Sequence, residues 1–367
     1  MMLFGMNSIM SSPSQAADYD SDAIERSMVW VDIQYEAEIW APGYWFDDDI
    51  AGYYQETSEV VYNCSGWFVS ESGDIVTAGH CLEMDDAVRA DLIDNLVDEF
   101  GYSNKLRGYA QEDWQIRKGH WTRKVIVGQP QGVVDAALDD DGVTAQVVKF
   151  QRFDNGDNAL LRVAGVNSVG VPLAAAEAAV GSDVTAVGFA GAVGDVSDIS
   201  RQRASFKEGT VSSQQFTDNG VPTVEIDAPV TFGMSGGPTI DENGAVIGVN
   251  SFRVVDESQP FNFVTDTETL RRFLVSNGVT PAVVTVPSET TTPVAEETED
   301  TSVDTPKPSA SKESGGGSNM MLYGLVGLAA VLLLVIVVLV VMVRRRPAGT
   351  KATPSSTPQE AAGPPQA

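Results

Sequence analysis

The chain has 367 residues, with 51 acidic side chains against 23 basic ones and a formal charge of −28. So acidic a chain argues against nucleic-acid binding, because phosphates demand a basic footprint; it favours solubility, salt tolerance or repulsion from an anionic surface. Only two cysteines and two histidines are present, without the spacing of a ligand set, so neither a metal nor a cofactor is expected.

Residues 1–23 read as a leader. The start, Met1-Met2-Leu3-Phe4-Gly5-Met6, is weakly apolar and has no basic n-region, and Ser14-Gln15-Ala16 offers a cleavage site. Strand-like runs bounded by Gly, Asp and Asn turn signals follow at Met28 to Tyr35, Trp67 to Ser70 and Asp74 to Thr77. The segment Thr77-Ala78-Gly79-His80-Cys81 sets an imidazole at the end of the last of these. Beyond it, Val88, Leu92, Ile93, Leu96, Val97 and Phe100 share one helical face, with Asp85 or Asp86 as cap and Gly101 as stop. Residues 85–124 are expected to be a helical insertion packed on the first strands, rather than a lid or exosite. Trp114 and Trp121 belong to that packing, and His120 has no motif context.

Further strands are expected at Ala145 to Phe150, Val184 to Phe189 and Val246 to Asn250. Between the first two lies Phe153-Asp154-Asn155-Gly156-Asp157, with two candidate carboxylates, and ahead of the third lies Gly233-Met234-Ser235-Gly236-Gly237-Pro238. Thr265-Asp266-Thr267-Glu268 reads as a capping box for a helix whose face carries Leu270, Phe273 and Leu274 and which Gly278 ends. Residues 281–319, rich in Thr, Ser, Pro and Glu, read as an unfolded stalk. Residues 320–343 are apolar and uncharged, long enough at about 1.5 Å per helical residue to cross a core of about 30 Å. Arg344-Arg345-Arg346 then mark the cytoplasmic side and open a disordered tail, 344–367.

A base, a carboxylate to orient it and a hydroxyl in a glycine turn are the parts that acyl transfer requires. A serine hydroxyl is a poor nucleophile at neutral pH, so an imidazole must take its proton and later return it to the leaving group. His80 is the candidate base, Asp157 the candidate acid and Ser235 the candidate nucleophile. Gly233, Gly236 and Gly237 let the chain curl tightly around Ser235, so the oxyanion hole is assigned to the N–H groups of Gly233 and Ser235.

The order His80, Asp157, Ser235 with these local motifs resembles the chymotrypsin-fold (trypsin-like) serine peptidases over residues 24–280. Val224-Glu225-Ile226-Asp227-Ala228-Pro229 before the serine turn and Ala245-Val246-Ile247-Gly248-Val249-Asn250 after it resemble the bacterial HtrA-like branch. The resemblance implies an all-β fold of two antiparallel six-stranded β-barrels with a C-terminal helix. Residues 24–165 would carry His80 and Asp157, and residues 166–280 would carry Ser235. It favours Asp157 over Asp154, because Asp157-Asn158-Ala159-Leu160-Leu161-Arg162-Val163 resembles the family's acid and the strand after it. Cys64 and Cys81 resemble a common disulfide of the family, which implies a bridge and an oxidising compartment.

Two departures from the family matter. Met234 stands where zymogen-activated members carry an acid, so no activating N-terminal cleavage of that kind is expected. Low-complexity sequence, not a PDZ domain, follows residue 280. Pro229, Val230 and Thr231 lie where trypsin-type members place an acidic pocket base, with Asn250, Ser251, Phe261 and Phe263 as the other walls. A basic P1 side chain would stay unpaired there, so small or medium apolar P1 residues are expected.

The resemblance and the apolar run together imply a serine endopeptidase acting on protein or peptide substrates. It would be anchored in the plasma membrane by one helix, with its catalytic domain extracytoplasmic. The alternative is a protease-like binding or adhesion module with little or no turnover.

Overall fold

The computed structural model describes residues 19–47, 49–194, 196–254 and 261–284. The expected stalk, apolar run and tail lie outside these residues, as does most of the expected leader. Among the described residues no helix is long and apolar enough to cross a membrane. The last residues assigned to the leader are already structured: helix α1 (Ser21–Ser27) starts at an Asp20 cap and buries Ile24.

The first sheet is built from β1 (Met28–Pro42), β2 (Tyr53–Phe68), β3 (Asp74–Ala78), β4 (Gln115–Gly128), β5 (Val143–Thr144), β6 (Gln146–Phe150) and β7 (Asn158–Arg162). Their order is β5-β4-β1-β2-β3-β7-β6. Strands β5 and β6 are one extended run broken only at Ala145, whose N–H donates to the Val125 carbonyl at 2.9 Å. Since β5 pairs with β4 and β6 with β7, the sheet closes on itself and leaves no free edge.

The second sheet takes β8 (Leu173–Ala174), β9 (Asp183–Gly188), β10 (Ser205–Phe216), β11 (Pro222–Ile226), β12 (Pro238–Asp241), β13 (Val246–Val254), β14 (Phe261–Thr265) and β15 (Val283–Val284). A β12–β13 pairing closes the antiparallel ring of β9, β10, β11, β14, β13 and β12. The short strand β8 pairs in parallel with β13, and β15 pairs in parallel with β8. The fold is therefore all-β with two barrel-like sheets and few helices. Because β15 pairs with β8, the ordered chain runs past Thr280, where the sequence placed its end.

The hairpin β1–β2 extends further than expected. Strand β1 was expected to stop at Tyr35, but its period-2 alternation continues, with Tyr35, Ala37, Ile39 and Ala41 buried on one side. Glu36 and Glu38, which interrupt the apolar reading, face the other way. Helix α2 (Asp86–Glu99) covers the buried side with Val88, Leu92, Ile93, Leu96 and Val97, and its N-cap Asp85 accepts from the Val88 N–H at 2.9 Å. Helix α3 (Arg107–Asp113) follows, and the chain returns to the barrel as β4 at Gln115, so residues 115–124 belong to the sheet rather than to the insertion.

Aromatic rings close this corner. Trp45 meets Trp114 at 5.4 Å and Phe46 meets Phe100 at 5.2 Å between centroids, both edge-on. Trp114 is fully buried, whereas Trp121 on β4 is partly exposed. His120 lies on the surface with Nδ1 3.5 Å from Glu38.

A four-residue α4 (Gly191–Gly194) follows β9, and α5 (Thr267–Ser276) follows β14. The cap of α5 is Asp266, which accepts from the Thr269 N–H at 2.7 Å. Thr265, expected as the capping residue, instead accepts from the Val249 N–H and ties β14 to β13. Leu270, Phe273 and Leu274 are buried as expected, and Gly278 has φ +84.

Leu92 has no exposed surface. Leu92→Ala should therefore lower the unfolding free energy by about 2–5 kcal/mol, as full truncation in a packed core does. Denaturant unfolding checks this, and a loss below about 1 kcal/mol would mean that α2 is not packed on the hairpin.

Candidate active site

His80 is set just past the end of β3 by a glycine with no room for a side chain. A Cβ on Gly79 would lie 1.8 Å from the Gln151 carbonyl oxygen, and the Gly79 N–H donates to the Asp157 carbonyl at 3.1 Å. His80 then opens a short 3-10 turn, His80–Leu82. The buried Tyr35 hydroxyl lies 3.2 Å from the Cys81 carbonyl oxygen and 3.1 Å from that of Glu83, and Arg123 donates to the Leu82 carbonyl. Cys81 is bonded to Cys64, which ties the turn to β2.

Asp157 sits at the head of β7 with φ +51, a left-handed conformation that Asp tolerates better than most residues. Its side chain is almost wholly buried. Oδ1 accepts from the His80 backbone N–H at 2.7 Å, and Oδ2 lies 2.9 Å from His80 Nδ1 and also accepts from the Ser251 hydroxyl. Asp154 is exposed on the preceding 3-10 turn. Burial acts to lower the His80 pKa, but the charge and hydrogen bond of Asp157, with Asp85 and Glu83 nearby, outweigh it and hold the imidazole above its ordinary 6.5. His80 Nε2 lies 3.8 Å from Cys81 Sγ. Cys64, His80 and Cys81 do cluster, but the two sulfurs are bonded to each other and offer no thiolate.

The Ser235 turn is pressed against the first barrel. A Cβ on Gly236 would lie 2.2 Å from both the Ser65 carbonyl oxygen and Thr77 Oγ1, and the Ser65 N–H donates to the Ser235 carbonyl at 2.8 Å. Met234 is fully buried in the second barrel's core, an apolar contact where an acid would have needed a partner. The Phe232 carbonyl accepts from the Gly191 N–H at 2.9 Å, which turns the Gly233 N–H, across the same planar peptide, the opposite way. The Met234 carbonyl accepts from Asn250 Nδ2 at 3.2 Å and from the Gly237 N–H at 3.1 Å, which does the same for the Ser235 N–H. Among the described residues, neither of these two N–H groups is taken by an acceptor. The Ser235 hydroxyl rests at 3.4 Å on the Ser251 carbonyl, and no hydrogen bond joins it to His80 among the described residues.

Two residues expected as pocket walls have other places. Asn250 is completely buried: its Nδ2 donates to the Val187 carbonyl at 2.9 Å as well as to Met234, and its Oδ1 accepts from Thr239 at 2.7 Å. Its amide is spent on holding the serine turn, and no face is left for substrate. Ser251 is also buried, with its hydroxyl on Asp157. The signal for both was a polar pair ending the apolar run Ala245 to Val249, inside a strand buried on both faces. Pro229 is exposed, Val230 is buried, and Phe261 and Phe263 lie on β14 beside β13.

Because Asp157 raises the His80 pKa while burial opposes it, Asp157→Asn should move the imidazole titration to lower pH. NMR of the His80 ring should show a midpoint above 6.5 in the parent and a downward shift in the variant; an upward or absent shift would break the pairing.

Residues 64–249, just over half of the chain, match the model of the trypsin-like peptidase domain family. Over 73 residues the chain is 38% identical to human serine protease HTRA4, a match that spans 18% of this chain and 15% of that protein. Among solved structures it is similar to the Rv3671c protease in an inactive form, at 18% identity and a TM-score of 0.40, over 70% of this chain and 91% of that one. With the family's motifs in order and its two-barrel architecture around them, the chain belongs to the trypsin-like peptidase domain family, as a chymotrypsin-fold serine peptidase.

Proposed function

We propose that the protein is a membrane-anchored extracytoplasmic serine endopeptidase that works through Ser235, His80 and Asp157 and an acyl-enzyme intermediate. The observation that carries this reading is the engagement of the Asp157 carboxylate by both the backbone and the ring of His80, together with N–H groups at Gly233 and Ser235 that no acceptor takes among the described residues. Rotation about the Ser235 Cα–Cβ bond frees the hydroxyl from the Ser251 carbonyl for the imidazole. His80 takes the proton as Oγ attacks the scissile carbonyl, and Asp157 stabilises the imidazolium and fixes its tautomer. The N–H groups of Gly233 and Ser235 receive the oxyanion. His80 then hands its proton to the leaving amine, and water enters to hydrolyse the ester by the same route in reverse.

The apolar run at residues 320–343, followed by Arg344, Arg345 and Arg346, supports an anchor with the peptidase on the far side from the cytoplasm. The disulfide between Cys64 and Cys81 agrees with an oxidising compartment. The resting place of the Ser235 hydroxyl on Ser251 is the one observation that favours the second reading, a protease-like module with little turnover.

Fluorophosphonate labelling of the full chain decides between the two. Labelling and casein hydrolysis should both be present in the parent and lost in Ser235→Ala and His80→Ala, with turnover falling about 10⁴–10⁶-fold; a parent that neither labels nor hydrolyses would be a binding module. No carboxylate stands at Pro229, Val230 or Thr231. A peptide library should accordingly show cleavage after small or medium apolar residues, and dominant cleavage after Arg or Lys would contradict the pocket assignment.

A further inference from the structure

The hydroxyl of Ser65 is buried where three segments meet, and the catalytic scheme does not use it. Ser65 lies on β2 of the first barrel, beside Cys64, and has no exposed surface. Its Oγ donates to the Gly233 carbonyl at 2.7 Å and accepts from the Phe189 N–H at 2.8 Å. Its backbone N–H separately donates to the Ser235 carbonyl. Through its hydroxyl and its backbone N–H, Ser65 thus meets the serine turn on both sides of Met234.

The positions of these bonds matter more than their number. The oxyanion hole uses two peptides, Phe232–Gly233 and Met234–Ser235, and the peptide between them carries the Gly233 carbonyl. Ser65 Oγ fixes that middle peptide from one side, while its N–H, at 3.0 Å from the Thr231 carbonyl, is fixed from the other. The second bond, to Phe189, holds the loop that leads into Gly191, whose N–H keeps the Phe232 carbonyl turned away from the hole. A Cβ on Gly233 would lie 2.5 Å from the Phe189 carbonyl oxygen, so the loop and the turn are already in contact there. Rotating the middle peptide would break its bonds to the buried Ser65 hydroxyl and to the Thr231 carbonyl together.

We propose that Ser65 is a positioning residue for the oxyanion hole: its hydroxyl clamps the serine turn to the 189–191 loop and keeps both hole N–H groups aimed at the reacting carbonyl. This inference rests on the peptidase reading above.

A peptide aldehyde tests it, because its affinity reports the hole directly. Ser235 Oγ adds to the aldehyde carbon, the serine proton passes to His80, and the carbonyl oxygen becomes the hemiacetal oxyanion between the two N–H groups. Ser65→Ala should lower kcat about 10- to 100-fold and weaken the aldehyde by a similar factor, short of the loss on deleting a hole donor outright. KM and the affinity of the corresponding peptide alcohol, which cannot form the adduct, should stay within about twofold. Ser65→Thr, which keeps a hydroxyl, should recover part of both losses. If the alanine variant does not fold, Gly191→Pro at the exposed end of the same clamp removes the N–H on Phe232 and should give the same selective weakening. Unchanged kcat and aldehyde affinity in a folded Ser65→Ala, or equal weakening of aldehyde and alcohol, would overturn the proposal. A parent that hydrolyses nothing would overturn the peptidase reading instead.

Discussion

The site depends on close backbone contact between two barrels at Gly236. With a hydrogen in place of a side chain, the serine turn lies directly on the Ser65 carbonyl and on Thr77, two residues of neighbouring strands in the first barrel. Thr77 Oγ1 donates back to that same Ser65 carbonyl at 2.7 Å, so the surface that receives the turn is itself fixed. Three residues beyond Thr77, just past the end of β3, is His80. Ser235 and His80 therefore share one rigid reference, although they come from different barrels and lie far apart in sequence.

From that contact the other constraints follow in two directions. Towards the base, β3 passes through the crowded Gly79 into the His80 turn, which Tyr35, Arg123 and the disulfide hold from below. Towards the acid, Ser251 on β13 bonds to Asp157, so the second barrel helps to orient a carboxylate carried by the first. Asn250, one residue earlier, fastens the serine turn. Consecutive residues of one strand, at an irregularity in its pairing with β14, thus hold the Ser235 turn and Asp157.

The parts of this arrangement that were legible in the sequence are those with local signatures. His80, Asp157 and Ser235 each sit in a short motif beside a strand-like run, and α2 and α5 are marked by apolar periodicity and a capping Asp. What escaped was set by partners distant in sequence. The hairpin beyond Tyr35 looked polar because Glu36 and Glu38 alternate with Ala37 and Ile39, and only the overlying α2 makes that inner face a core. Asn250 and Ser251 read as pocket walls because their position beside the serine turn was legible, but the side chains that occupy them were not. Ser65 is a small residue between Cys64 and Gly66, and nothing local distinguishes it; its partners lie more than a hundred residues away.

The central claim is that the serine turn is held with its hydroxyl available to His80 and its N–H groups aimed at a developing oxyanion. A crystal structure of the full chain after fluorophosphonate labelling measures this most directly. The account predicts the phosphoryl oxygen about 2.7–3.1 Å from the backbone nitrogens of both Gly233 and Ser235, with Ser235 Oγ displaced from the Ser251 carbonyl. A phosphoryl oxygen turned to solvent, with the Phe232 carbonyl facing into the hole, would contradict it.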